Sequence, residues 1–290
     1  MNIRMKIGAS SFASPLPDLE KEVDSIELYI PKLKLYNEGK LTKERVDELH
    51  DLLSTGSAHT TMHAPYFGEL PNYPKELIVD TAHMGSIQMS IMEESISLAS
   101  DFGCSVLTLH PGKITGDREK SFMRMVGNLK KLAIEAGNCG IILGLENKEG
   151  TDPTNLCCAV DEHLRAIREV NSPYLNATFD IGHANLTCGG DMGKLRDFVR
   201  GVNGHVAHVH VHDNNGVLAE SYYGDMHGAP GEGNIDFSVL RELDFKEVFN
   251  LEVFSMDAVR TGKSVLSGLL FSMPYEHVNP DIPHHSRHPL

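Results

Sequence analysis

The sequence is short of basic residues, with 26 Lys and Arg against 40 Asp and Glu and a formal net charge of -14. That balance excludes a general electrostatic field for DNA, RNA or an anionic membrane, so a polyanion would have to be held by a local site. No C-x-x-C pair occurs among the five cysteines, Cys104, Cys139, Cys157, Cys158 and Cys188. An odd, scattered set suits reduced thiols rather than a disulfide framework, and none has the spacing of a metal ligand. The opening stretch "MNIRMKIGAS" lacks the apolar centre of a signal peptide, and "SVLSGLLFSM" is too short to cross a bilayer. A soluble, cytoplasmic protein without a membrane partner is expected.

What is present is a long alternation. The chain has 290 residues, 41% of them hydrophobic, enough to bury a full core. Runs reading as strands, "MKIGAS", "SIELYI", "AHTTMHAP", "SVLTLHPG", "GIILGLEN", "LNATFDIG", "HVAHVHVHD" and "VFNLEVF", are separated by amphipathic segments such as "TKERVDELHDLLS" and "SFMRMVGNLKKLAIEAG". Eight strands alternating with about eight helices predict an α/β protein, a single (β/α)8 TIM barrel over residues 1–276. A doubly wound open sheet is the lesser alternative. Residues 277–290, "HVNPDIPHHSRHPL", have three prolines, four histidines and no apolar face, and read as a solvated tail rather than a metal tract.

The chemistry gathers at strand ends. Strand three finishes at His63, strand four at His110, strand five at Glu146, strand six at Asp180 with His183 just beyond, strand seven at His210 and strand eight at Glu252. In a barrel of this kind the C-terminal strand ends converge on one mouth, so these groups would ring a common cavity. Asp225 and His227, in the loop "YGDMHGAPGEGNIDF", could join them. Singly, each has a plain alternative: a buried imidazole satisfied by hydrogen bonds, or a glutamate paired with a base at the rim. Together they do not read as accidents, because all fall at the same end of successive strands. In strand seven the period of two puts His208, His210 and His212 on one side and Val209 and Val211 on the other. His210 is the expected ligand, with His208 one layer deeper and His212 above it at the mouth, touching substrate. Imidazole and carboxylate donors without thiolate suit Zn²⁺ or Mn²⁺.

The segments "MHAPY", "LHPGK", "LENKEG", "TFDIGHAN", "HVHVHDN", "DMHGAPGEGNID" and "LEVF" resemble the successive metal-binding motifs of the endonuclease IV family, a branch of the xylose-isomerase-like TIM barrels. Each of that family's nine metal-binding positions is filled here by the expected residue type. The resemblance implies up to three Zn²⁺ ions: one on His63, His110 and Glu146, a second on Glu146, Asp180, His210 and Glu252, and a third on His183, Asp225 and His227. It also implies cleavage of DNA at abasic sites. One departure is the loop "IPKLKLYNEGKL" after strand two, which lacks the Arg- and aromatic-rich insertion that penetrates the duplex.

Two activities are nested in this set. Sugar isomerases and epimerases of the same superfamily are expected to use one ion on Glu146, Asp180, His210 and Glu252, with the two glutamates moving protons. One ion against three carboxylates leaves about -1, suited to a neutral sugar, whereas three ions against four leave about +2, suited to a phosphodiester. The sequence therefore predicts a phosphodiester hydrolase acting on abasic or damaged DNA, with a small sugar or sugar phosphate as the alternative substrate. Glu146 and Glu252 are the expected catalytic carboxylates, and Tyr66, Phe67, Lys113 and His212 the expected substrate contacts. A barrel that binds ions without catalysis would show a broken ligand set, and none is missing.

Overall fold

The structure, a computed structural model, describes residues 5–68 and 73–270. The expected tail and its boundary lie outside the described residues. Eight strands form a closed barrel: β1 (Lys6–Ser10), β2 (Ser25–Tyr29), β3 (His59–His63), β4 (Val106–Leu109), β5 (Ile142–Glu146), β6 (Leu175–Asp180), β7 (Val206–Val211) and β8 (Val248–Leu251). Each pairs in parallel with its neighbour in sequence, and β8 closes on β1, with Lys6 opposite Val248 and Ala9 opposite Leu251. Closure rules out the open sheet. The strands are buried on both faces, which is why they read as short apolar runs rather than clean alternations.

The outer layer comes from the amphipathic segments. Its helices are α1 (Leu16–Glu22), α2 (Ile30–Leu33), α3 (Lys43–Thr55), α4 (Ser86–Asp101), α5 (Arg118–Cys139), α6 (Val160–Val170), α7 (Ile181–Thr187), α8 (Met192–Val202) and α9 (Met256–Leu270). In α5 the apolar positions Phe122, Met125, Val126, Leu129, Leu132, Ala133 and Ala136 recur at helical spacing and are buried. Asp117 caps its start by accepting from the Lys120 amide. Strict alternation fails between β7 and β8. That crossover has no α-helix among its described residues, only the short 3-10 turns Tyr222–Gly224 and Phe237–Glu242. Its glycines and Pro230 are poor helix formers, and its backbone amides are engaged at the barrel mouth instead.

The barrel interior is polar where barrels of this kind are usually aliphatic. Ser10, Glu27, Thr108, Thr178, His208, His210 and Asn250 are all fully buried. The hydroxyls of Thr108 and Thr178 meet at 3.0 Å across Gly144, where a Cβ would lie 2.1 Å from Thr178 Oγ1. Glycine there lets three adjacent strands crowd together. After β2, the segment "IPKLKLYNEGKL" folds as α2 and a small hairpin, Tyr36–Asn37 against Lys40–Leu41.

Candidate metal centre

The strand-end residues meet at one mouth. Their possible ligand atoms form three adjoining groups, each with all atoms within 4.8 Å of one another. His63, His110 and Glu146 make the first; Glu146, Asp180, His210 and Glu252 the second; His183, His212, Asp225 and His227 the third. Glu146 belongs to two of them. Its Oε2 lies 3.1 Å from His110 Nε2, 3.4 Å from His63 Nε2 and 3.7 Å from His210 Nδ1. Glu252 Oε2 lies 3.6 Å from the same His210 nitrogen. No cysteine enters any group among the described residues.

The donor atoms are oriented for a cation. Four imidazoles commit one ring nitrogen to a neighbour and turn the other inward: His63 Nδ1 to the Ala64 carbonyl at 2.8 Å, His183 Nδ1 to the Asn147 carbonyl at 2.9 Å, His227 Nδ1 to the Glu252 carbonyl at 2.7 Å, and His210 Nε2 to Glu27 at 2.8 Å. A donated N–H fixes the tautomer and leaves the opposite lone pair for a metal, the usual arrangement around a ligating histidine. Asp180 is divided in the same way. Its Oδ1 accepts from the His183 amide, capping α7, and from His212 Nε2. Asp180 Oδ2, Glu146 Oε2 and His210 Nδ1 are buried without a hydrogen-bond partner. Orphaned buried donors and acceptors are costly, and a divalent ion on this nitrogen-and-oxygen set would satisfy all three.

Charge supports the fit. Burial alone would raise the Glu146 carboxyl, but His110 and Lys148 hold it well below the usual range. Burial also acts upward on Asp180, and His183 and His212 outweigh it, leaving it at about 2. The His110 imidazole is pushed down to about 3 by burial and then by the Lys148 ammonium.

Glu27, in β2, is fully buried and meets the ligand set through His210. Its Oε1 accepts from Ser10 and Asn250, and its Oε2 from His208 and His210. The carboxylate thereby fixes the ring that supplies one inward nitrogen, with His208 below as a hydrogen-bonded filler. Glu27→Gln keeps the volume but turns an amide toward an imidazole N–H. A loss in divalent-ion affinity of about 10- to 100-fold is expected, read by competition with a fluorescent chelator. Unchanged affinity would mean that packing alone orients His210.

The expected substrate contacts are placed unequally. Tyr66 lies at the centre, its ring 4.3 Å from His110 and its hydroxyl 2.9 Å from that of Tyr29. Phe67 is on the surface nearby, with the Lys113 ammonium 6.0 Å from its ring centroid, while the same ammonium makes a 2.6 Å ion pair with Asp152. His212 is fully buried, stacked 4.1 Å from His227. An aromatic edge that the sequence did not reveal is formed by Phe12 and Phe254, 5.3 Å apart, with Phe254 5.2 Å from His227.

The loop bearing Asp225 and His227 is tied down by buried Asp213. One carboxylate oxygen accepts from the Gly231 and Gly233 amides at 2.8 and 2.9 Å, the other from Asn214 and Ile235. His227 itself has a φ of 47°, in the left-handed region that non-glycine residues rarely adopt. Gly231 and Gly233 of "GAPGEGN" thus present their amides to an acidic side chain of the protein, while Gly228 donates to the Asp213 carbonyl.

Known proteins agree with this fold. A family model described as xylose isomerase-like TIM barrel matches residues 20–271. The uncharacterized protein MJ1311 of Methanocaldococcus jannaschii is 27% identical over 284 residues, covering 92% of this chain and 89% of its own. A crystal structure of a D-tagatose 3-epimerase-like protein superimposes with a TM-score of 0.75 at 25% identity, over 92% of this chain and 97% of that one. The D-psicose 3-epimerase of Enterocloster bolteae is 22% identical over 158 residues, 52% of this chain and 46% of its own. The likeness to endonuclease IV therefore narrows to the wider superfamily, in which two of these three relatives are named for sugar epimerisation.

Proposed function

Because the chain belongs to the xylose isomerase-like TIM barrel family, we propose that it is a divalent-metal-dependent sugar isomerase or epimerase working at Glu146, Asp180, His210 and Glu252. The observation that carries this reading is the inward-facing set of Glu146 Oε2, Asp180 Oδ2 and His210 Nδ1, three buried atoms without partners. Both the D-psicose 3-epimerase and the D-tagatose 3-epimerase-like relatives support a ketose as substrate. A divalent ion bound here would polarise the sugar's carbonyl and adjacent hydroxyl oxygens. Glu146 and Glu252 reach the centre from β5 and from just beyond β8, strands that are not neighbours in the barrel. One carboxylate takes the proton from the carbon beside the carbonyl and the other returns a proton to the opposite face. Tyr66 and the Phe12–Phe254 edge supply apolar walls for a sugar ring or chain.

The test is chemical. Protein reconstituted with Mn²⁺, Co²⁺ or Zn²⁺ is incubated with a panel of ketoses in deuterated water. Interconversion of epimers or of aldose and ketose, with deuterium entering at the reacting carbon, is expected. Absence of exchange with every sugar by metal-loaded protein would sink the reading. One observation favours a second: the first and third ligand groups adjoin the working centre, which a single-ion isomerase does not require. They fit the hydrolysis of a phosphodiester. Incision of an abasic duplex by the same preparation would favour it.

A further inference from the structure

Lys148 has no ligating or proton-moving part in either reading, yet its ammonium lies among the ligands. The side chain leaves the loop just past β5 and turns back into the mouth, mostly shielded from solvent. Its Nζ is 3.0 Å from His183 Nε2, 3.2 Å from Glu149 Oε2 and 3.9 Å from Glu146 Oε1. An ammonium has three N–H bonds to place and no lone pair, so Lys148 donates to His183 Nε2 and lies beside the two carboxylates. His183 Nδ1 already donates to the Asn147 carbonyl, so Nε2 carries the lone pair and accepts from Lys148. That lone pair is the one a cation in the third group would need, at about 2.1 Å. Asp225 Oδ2 lies 3.1 Å from the same nitrogen, on the negative side of the same hollow.

We propose that the Lys148 ammonium is the resident cation of the third ligand group. It uses the His183 lone pair and balances Glu149, Glu146 and Asp225 where an ion would otherwise sit. A divalent ion drawn to His183, His212, Asp225 and His227 would meet a positive charge within about one hydrogen-bond length of its own ligand, and repulsion excludes it. The wild-type chain therefore stops at the ions that the first two groups hold. Asp225 Oδ1, buried without a hydrogen-bond partner, marks a place still able to take a metal once the amine is gone. The inference goes beyond the isomerase reading, because it fixes how many ions the mouth accepts whichever substrate is turned over.

Equilibration with Co²⁺ or Zn²⁺, removal of free ion by gel filtration and elemental analysis test it directly, with circular dichroism verifying the fold of each variant. Lys148→Ala and Lys148→Met should each hold one more ion per chain than wild type. Lys148→Arg, which keeps the charge, should match wild type. Adding His227→Ala to Lys148→Ala should remove the gained ion, and His227→Ala in the wild-type background should remove none. With Co²⁺, the gained ion should add a visible absorption band that the double variant lacks. The proposal is overturned if Lys148→Ala and Lys148→Met gain nothing, or if wild type already loses an ion on His227→Ala. A wild-type chain free of metal whose Lys148→Ala variant gains one ion would refute the isomerase centre and uphold the role of Lys148. Metal-free chains throughout would refute both.

Discussion

Glu146→Gln is expected to lower kcat by about 10³-fold and to strip the centre of its metal. The size of the kinetic loss follows from removing a positioned proton-transfer group, which by itself is worth about 10²- to 10⁴-fold. The effect on metal follows from geometry. Glu146 Oε2 faces His63, His110 and His210 together, so one substitution withdraws a ligand from two groups. An amide nitrogen in its place has no lone pair for a cation and points N–H bonds at inward-facing ring nitrogens. Glu252→Gln should reduce turnover similarly but spare more of the metal, since Glu252 belongs to one group. Steady-state kinetics and elemental analysis on the same samples distinguish the two. If Glu146→Gln retained its ion and about a tenth of wild-type turnover, the shared-carboxylate centre would be wrong.

The largest effect on stability is expected at Asp213, which touches no ligand. Its buried carboxylate accepts four backbone amides, those of Asn214, Gly231, Gly233 and Ile235. Asp213→Ala leaves those donors without their acceptor, the Asn214 and Ile235 amides in the buried part of the loop and the Gly231 and Gly233 amides nearer solvent. A loss of about 3 kcal/mol is expected, taking one to two kcal/mol for each donor that finds no replacement. That corresponds to a melting temperature lower by roughly 6 °C for a domain of this size. Asp213→Asn should be nearly as harmful, because its NH₂ would face two amide N–H groups. Thermal unfolding by calorimetry measures the shift. A change below about 1 kcal/mol would show that solvent replaces the carboxylate and that the loop holds itself.

The barrel and most of its mouth are legible in the sequence because two regularities coincide. Short apolar runs mark the strands, and polar residues capable of ligation mark the end of each from β3 onward. Topology does the rest, since parallel strands around a closed barrel place like ends together. Glu27 is not legible for a physical reason: a carboxylate in β2 reads alike whether it meets a rim lysine or takes two imidazoles from β7. Lys148 sits in plain view in "LENKEG", but the direction of a long side chain leaving a strand end has no sequence signature. His212, expected above His210 at the mouth, is fully buried there and stacked on His227, because the loop anchored by Asp213 folds over that position. The missing helix between β7 and β8 has the same origin.

The hydrogen bond between Glu27 and His210 joins positions 183 apart in sequence. A chain emerging from the ribosome thus makes the acceptor early and waits for most of its length before the donor exists. Until β7 is synthesised, β2 carries a carboxylate bound for the interior with no imidazole to receive. Half-made barrels of this protein are consequently poor hosts for ions, and the centre is among the last features that biosynthesis can complete.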